Sequence, residues 1–98
     1  MENNKVMIAD RPGFNAHIEI QDDVPFLHTE VHEWSKQTMK EMQLLFDMVV
    51  EKCEELGFEH LSFYGKEPSV KLAESFAPLD ELNNLPGYKG YYVGTWYV

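Results

Sequence analysis

The stretch from Phe26 to Tyr64, FLHTEVHE-WS-KQTMKEMQLLFDMVVEKCEEL-GF-EHLSFY, decides the fold. Met39, Met42, Phe46, Val49, Cys53 and Leu56 recur at three- and four-residue steps, the apolar stripe of an amphipathic helix. Glu41, Asp47, Glu51, Lys52, Glu54 and Glu55 fall off that stripe, while Leu44, Leu45, Met48 and Val50 widen it, so most of the helix is expected to be buried. The stripe lasts only about three heptads and then gives way to a strand, which argues against a coiled coil. Ser35 is placed to cap the helix N-terminus, with Thr38-x-x-Glu41 as a capping box should the helix begin a turn later. Gly57 stands where a left-handed residue closes the helix, with Phe58 packing beyond it. On the preceding strand, Phe26 to Glu33, Phe26, His28, Glu30 and His32 share one face and Leu27, Thr29, Val31 and Glu33 the other. Both faces mix apolar and polar residues, as on a central strand covered on both sides near one end. Pro25 is tolerated at its start. Glu59 to Tyr64 forms the next strand, and strand, helix and strand make a βαβ unit with a parallel pair joined by a crossover.

Outward from this unit, Lys5 to Ala9 reads as a short strand, and Asp10-Arg11-Pro12-Gly13 carries strong turn chemistry. Phe14, Ala16, Ile18 and Ile20 alternate with Asn15, His17 and Glu19, the pattern of a half-buried strand. Gln21-Asp22-Asp23 turns the chain, so an antiparallel meander is expected up to Phe26. On the other side Gly65 breaks the strand. Pro68 opens a shorter helix, Glu67 to Phe76, whose buried face is Val70, Leu72, Ala73 and Phe76. Pro78 to Gly87 reads as a loop with one helical turn. Gly90 to Tyr97 reads as a last strand, in which Gly94 marks a bulge or a close backbone approach. The expected class is α/β (α+β): one domain over residues 1–98, with a mixed, mostly antiparallel sheet, a central βαβ unit, one long helix and one short.

Composition narrows the function classes. A content of 44% hydrophobic and 13% aromatic residues in 98 supports a packed core. The formal net charge of -9 repels phosphate backbones, so nucleic acid is not expected as a direct partner, while a basic protein surface is compatible. The single cysteine, Cys53, excludes an internal disulfide, and its place on the stripe makes it a small core hydrophobe. There is no apolar run of membrane-spanning length and no signal-peptide layout, so a cytoplasmic protein is expected, without a membrane partner.

From Phe26 onward the order of elements resembles the GCN5-related N-acetyltransferase (GNAT) fold. The most telling piece is Gly65-Lys66-Glu67-Pro68-Ser69-Val70-Lys71-Leu72-Ala73-Glu74-Ser75-Phe76, which looks like the family's entry into its fourth helix. Glu55-Leu56-Gly57-Phe58-Glu59-His60-Leu61 and the aromatic last strand are similar to the family in placement. The resemblance spans roughly residues 14 to 98 and implies an acyl-CoA site (acetyl-CoA or another acyl-CoA) at the strand-to-helix junction. Two departures stand out. The family's (Arg/Gln)-x-x-Gly-x-(Gly/Ala) signature has no glycine counterpart in His32 to Lys40, and the chain is too short for the family's first two helices. It therefore resembles the small, divergent members encoded by bacteriophages, which implies the cytoplasm of a host cell.

Four sets of residues are candidates for a site. Ser35, Lys36, Gln37, Thr38 and Lys40 lie at the long helix's N-terminus, where the dipole and two lysines favour an anion such as the coenzyme pyrophosphate. Glu30 is the resemblance's nearest match to a general base, with His32 as the alternative and Tyr64 as an acid for the thiolate leaving group. His17, Glu19, His28, Glu30 and His32 would converge if their strands pair in register. However, alternating His and Glu also solvates a sheet face, and no metal is expected. Finally, an uncovered sheet face bearing Phe14, Ile18, Phe26 and the C-terminal aromatics calls for a protein partner, a host enzyme among the possibilities, or a second copy. The expected function is a binding module that modulates a partner enzyme, with a degenerate acyl-CoA site; the alternative is an active acyl-CoA-dependent N-acyltransferase.

Overall fold

A computed structural model describes residues 5–98. In chain order the elements are β1 (Lys5–Asp10), β2 (Phe14–Gln21), β3 (Val24–Val31), α1 (Lys36–Glu55), β4 (His60–Gly65), α2 (Glu67–Phe76), β5 (Glu81–Asn84) and β6 (Tyr92–Tyr97). The strands form a mixed sheet in the order β1-β2-β3-β4-β6-β5, parallel only between β3 and β4 and antiparallel elsewhere. The α+β class, the antiparallel meander and the α1 crossover all follow the sequence reading. Among the described residues, no helix is long and apolar enough to cross a membrane.

Alternation in β2 turns Phe14, Ala16 and Ile18 inward, where they are almost fully buried. Both helices pack on this side. Phe46, Val49 and Cys53 of α1 and Val70 and Ala73 of α2 meet Ile18, Leu27, Leu61, Phe63 and Trp96 in one cluster. A smaller cluster of Ala9, Phe14, Met42 and Leu45 lies beside it, and Phe76 packs against both. Phe46 joins the layers, with its ring 4.9 Å from Trp96 and 5.5 Å from Phe76. The indole N–H of Trp96 donates to the Ala77 carbonyl at 2.9 Å, which satisfies the one polar group this large buried ring carries.

Local chemistry sets the boundaries. Ser35 caps α1, its hydroxyl accepting from the Thr38 amide at 3.1 Å, so the helix begins at Lys36 and not a turn later. At the other end Gly57 adopts φ +87°. Its amide donates to Glu54 and that of Phe58 to Cys53, the paired bonds of a Schellman stop. β3 begins and ends two residues earlier than the alternation suggests. Asp22 and Asp23 both take left-handed backbone (φ 51° and 64°), making a two-residue hairpin that pairs Gln21 with Val24 at once. The strand stops at Val31 because the amides of His32 and Glu33 turn aside to the Gly13 carbonyl.

Three sequence expectations change, the first being that most of α1 is buried: Leu44 and Met48 are exposed, and burial is confined to the face of Thr38, Met42, Leu45, Phe46, Val49 and Cys53. The Pro78–Gly87 segment contains an edge strand, β5, and no helical turn. All four of its residues are exposed, so the strand rests on backbone hydrogen bonds to β6 and leaves no hydrophobic signature. Phe14, Ile18 and Trp96 do not lie on an uncovered face, because both helices sit over them. The opposite side of the sheet, free of helices among the described residues, carries Asn15, His17, Glu19, Phe26, His28, Glu30 and Tyr64. Gly94 marks a close approach, since the Phe63 ring occupies the space a Cβ would need, and there is no bulge.

Candidate functional site

β3 and β4 are sequential in space but barely zipped. Their ladder pairing is confined to Phe26↔Ser62, while the other edge of β4 pairs with β6 along its whole length. A parallel pair that parts after one register position leaves strand backbone groups of β3 without ladder partners on that side. A cavity of about 100 Å³ opens there, bounded by His28 and Thr29 of β3, Phe63 and Tyr64 of β4, and Ser69 and Leu72 of α2. A narrow slot with strand backbone on its wall suits an extended ligand that carries amide groups.

The anion candidates at the α1 N-terminus are closed in from one side. Thr38 is 4% exposed. Its amide is taken by Ser35 Oγ, and the two hydroxyls hydrogen-bond at 3.1 Å. The β1–β2 turn lies on top, so that a Cβ on Gly13 would stand 2.6 Å from Thr38 Oγ1. The lack of a side chain on Gly13 leaves the space that the Thr38 hydroxyl occupies. Lys36, Gln37 and Lys40 are exposed, and Gln37 donates to Glu41 at 3.2 Å. What remains for an anion is the pair of lysines and the first amides of the helix.

Of the acid–base candidates, Glu30 and His32 come together, with Oε1 and Nδ1 3.7 Å apart, but both are exposed. His32 lies beyond the end of β3, so it does not continue the row of His28 and Glu30, and its Nε2 stands 3.4 Å from the Asn15 amide. Tyr64 is separate from them. It is 42% exposed and meets Phe26 and His28 edge-on at 5.4 and 5.5 Å.

His28, on the uncovered face, is the residue whose role the row pattern understates. Its ring stacks on His17 at 5.1 Å, and Glu19 completes a group whose ligating atoms all lie within 4.8 Å of one another. Partial burial pushes the His28 imidazole pKa below its usual value, against the opposing pull of Glu19. Its Nε2 is buried and has no hydrogen-bond partner. Of the five His and Glu residues the sequence groups together, these three converge, and Glu30 and His32 do not. Alternation could have found them, because the His17–His28 pairing follows once the tight turn at Asp22-Asp23 fixes the register.

Nearby, Phe26, Tyr64, Tyr88, Tyr91 and Val93 line a mostly apolar pocket of about 480 Å³. Lys66 Nζ lies 5.4 Å from the centre of the Tyr91 ring. Tyr88 is 63% exposed at the rim. Comparison of the chain with protein-family models, with curated proteins and with solved structures gave no match.

Proposed function

We propose that the chain is a small GNAT-like protein of the phage-encoded type, a binding module that modulates a partner enzyme and carries a degenerate acyl-CoA site. The closed α1 N-terminus carries this reading. With Thr38 buried under Gly13 and its amide taken by Ser35, a pyrophosphate loses the space and one of the donors that a glycine-rich turn would supply. The element order and the α1 crossover between parallel strands support the family resemblance. The partner-facing surface is the helix-free side of the sheet, where Tyr64 and Tyr88 offer the exposed aromatic area that protein interfaces favour. A chain of net charge -9 suits a partner with a basic face, and the association is expected to weaken as salt rises.

One observation favours the second reading, an active acyl-CoA-dependent N-acyltransferase. The β3–β4 slot would take an extended acyl-pantetheine arm, and Tyr64 is among the residues that line it. In that reading Tyr64 would protonate the departing thiolate, and Glu30 or His32 would take the proton from the amine. Calorimetric titration with acetyl-CoA separates the two. The module reading expects no saturable binding at millimolar ligand. Binding that is lost in Lys36→Ala, together with free thiol released in the presence of amines and abolished by Tyr64→Phe, would establish the enzyme instead. For the partner, Tyr64→Arg and Tyr88→Ala are expected to release a protein that Leu44→Glu, on α1, retains. Equal retention by all three would exclude the helix-free side as the interface.

A further inference from the structure

We propose that His17, Glu19 and His28 form a three-ligand site for a divalent transition-metal ion of the Zn²⁺ class on the helix-free side of the sheet. The site does not depend on the acyl-CoA reading, although His28 also borders the β3–β4 slot. Its geometry follows from strand pairing. β2 and β3 are antiparallel, with His17 directly opposite His28 and Glu19 opposite Phe26. Residues two apart on a strand share a face, so His17 and Glu19 point the same way and His28 meets both, one across and one on the diagonal. One ligand atom from each of the three lies within 4.8 Å of the others.

A tetrahedral ion with bonds of about 2.0–2.1 Å needs its ligands about 3.4 Å apart. The His17 and His28 rings are stacked nearly parallel, so both must turn out of that stack for their nitrogens to face one ion. Two imidazoles and one carboxylate are a donor set zinc accepts, with a fourth position open to water or substrate. The independent observation is the His28 Nε2, which is buried and without a partner. A polar atom left in that state calls for an unseen neighbour, and a water or an ion is the usual one. Alternating polar residues on a solvated face would explain the presence of His and Glu, but not a buried nitrogen with nothing to bind.

The charged surroundings are specific enough to test. Glu19 is held by Lys5, with Nζ 3.7 Å from Oε2, and accepts a short hydrogen bond from the Gln21 side-chain amide. Lys5 competes with a cation for the carboxylate, whereas Gln21 can stay as the outer partner that orients it. Removing Lys5 should therefore strengthen metal binding, a sign that a merely structural role for Glu19 would not give.

The 98-residue chain, stripped with chelator, is titrated with ZnCl₂ alone by calorimetry, and its thermal unfolding is followed with and without the ion. One ion per chain is expected, with a rise in Tm. His17→Ala should weaken binding by more than about 100-fold, beyond the effect of losing an outer partner, and Glu19→Gln by at least about tenfold. Lys5→Ala should tighten it severalfold, and His60→Ala should leave it unchanged. Because His28→Gln could disturb folding, its part is read in the wild-type chain from imidazole ¹⁵N shifts: those of His17 and His28 should move on adding zinc and those of His32 and His60 should not. Absence of saturable binding, binding that survives His17→Ala, or shifts centred on His32 or His60 would overturn the site.

Discussion

Cys53 shows how one side chain's environment sets its chemistry. It is fully buried in the main core cluster, and its thiol donates to the His60 carbonyl at 3.2 Å. Burial, with a smaller push from Glu54, raises its pKa from 9.0 to about 11. At neutral pH it is therefore a protonated hydrophobe and neither a nucleophile nor a metal ligand. The sign of the linkage follows. Below about pH 9 the thiol is protonated in both folded and unfolded chains, so its contribution to stability is complete. As pH climbs from 9 towards 11 the unfolded chain ionises first and stability falls. Denaturant melts across that window should show a decline that is smaller in Cys53→Ala, and thiol-reactive dye at pH 8 should label the native chain only at the rate of unfolding. Prompt labelling would mean that the thiol is not buried.

At the scale of elements, the contact between the β1–β2 turn and the start of α1 closes the anion site, and it can be tested as a contact. Gly13→Ala would press a methyl group into Thr38 Oγ1 and should cost about 1–3 kcal/mol. Thr38→Ala removes the obstructing atom and should recover part of that loss, giving a coupling of about 0.5–3 kcal/mol in a double-mutant cycle read by urea unfolding. Strict additivity would show that the two elements do not touch. The cap itself was legible from residue order, because Ser35 precedes a helical stripe and acts on an amide three residues away. The turn that covers it was not, because Gly13 reaches Thr38 through a long-range contact that no local pattern encodes.

For the whole molecule, the sheet divides the described residues into a side covered by both helices and a side free of them. Phe46 lies where both helices and β6 meet, stacked with Phe76 and edge-on to Trp96. Phe46→Ala should cost about 3–5 kcal/mol, a large part of the stability of a domain this size. Tyr64→Arg, on the opposite side and 42% exposed, gives up edge contacts with Phe26 and His28 and should cost about 1–2 kcal/mol, less than Phe46→Ala. Thermal unfolding of the two variants side by side reads the contrast. Similar losses would mean that the helix-free side contributes to the core.

The sequence by itself determined the elements with strong local signals. These were the α1 stripe with its serine cap and glycine stop, the Pro-started α2, the meander of β1 to β3, and the parallel placement of β4 after a helix. Each rests on periodicity or capping chemistry written within a few residues. Only the tertiary structure decided the rest. β5 exists because β6 offers an edge of backbone donors and acceptors, and Glu81 to Asn84 carry no apolar pattern to announce it. The helices cover the side bearing Phe14 and Ile18, so among the described residues the helix-free side is the one with imidazoles and carboxylates. The grouping of His17, Glu19 and His28, as against Glu30 and His32, depends on strand register and on where β3 ends. Register is a property of two strands together, and neither strand specifies it alone.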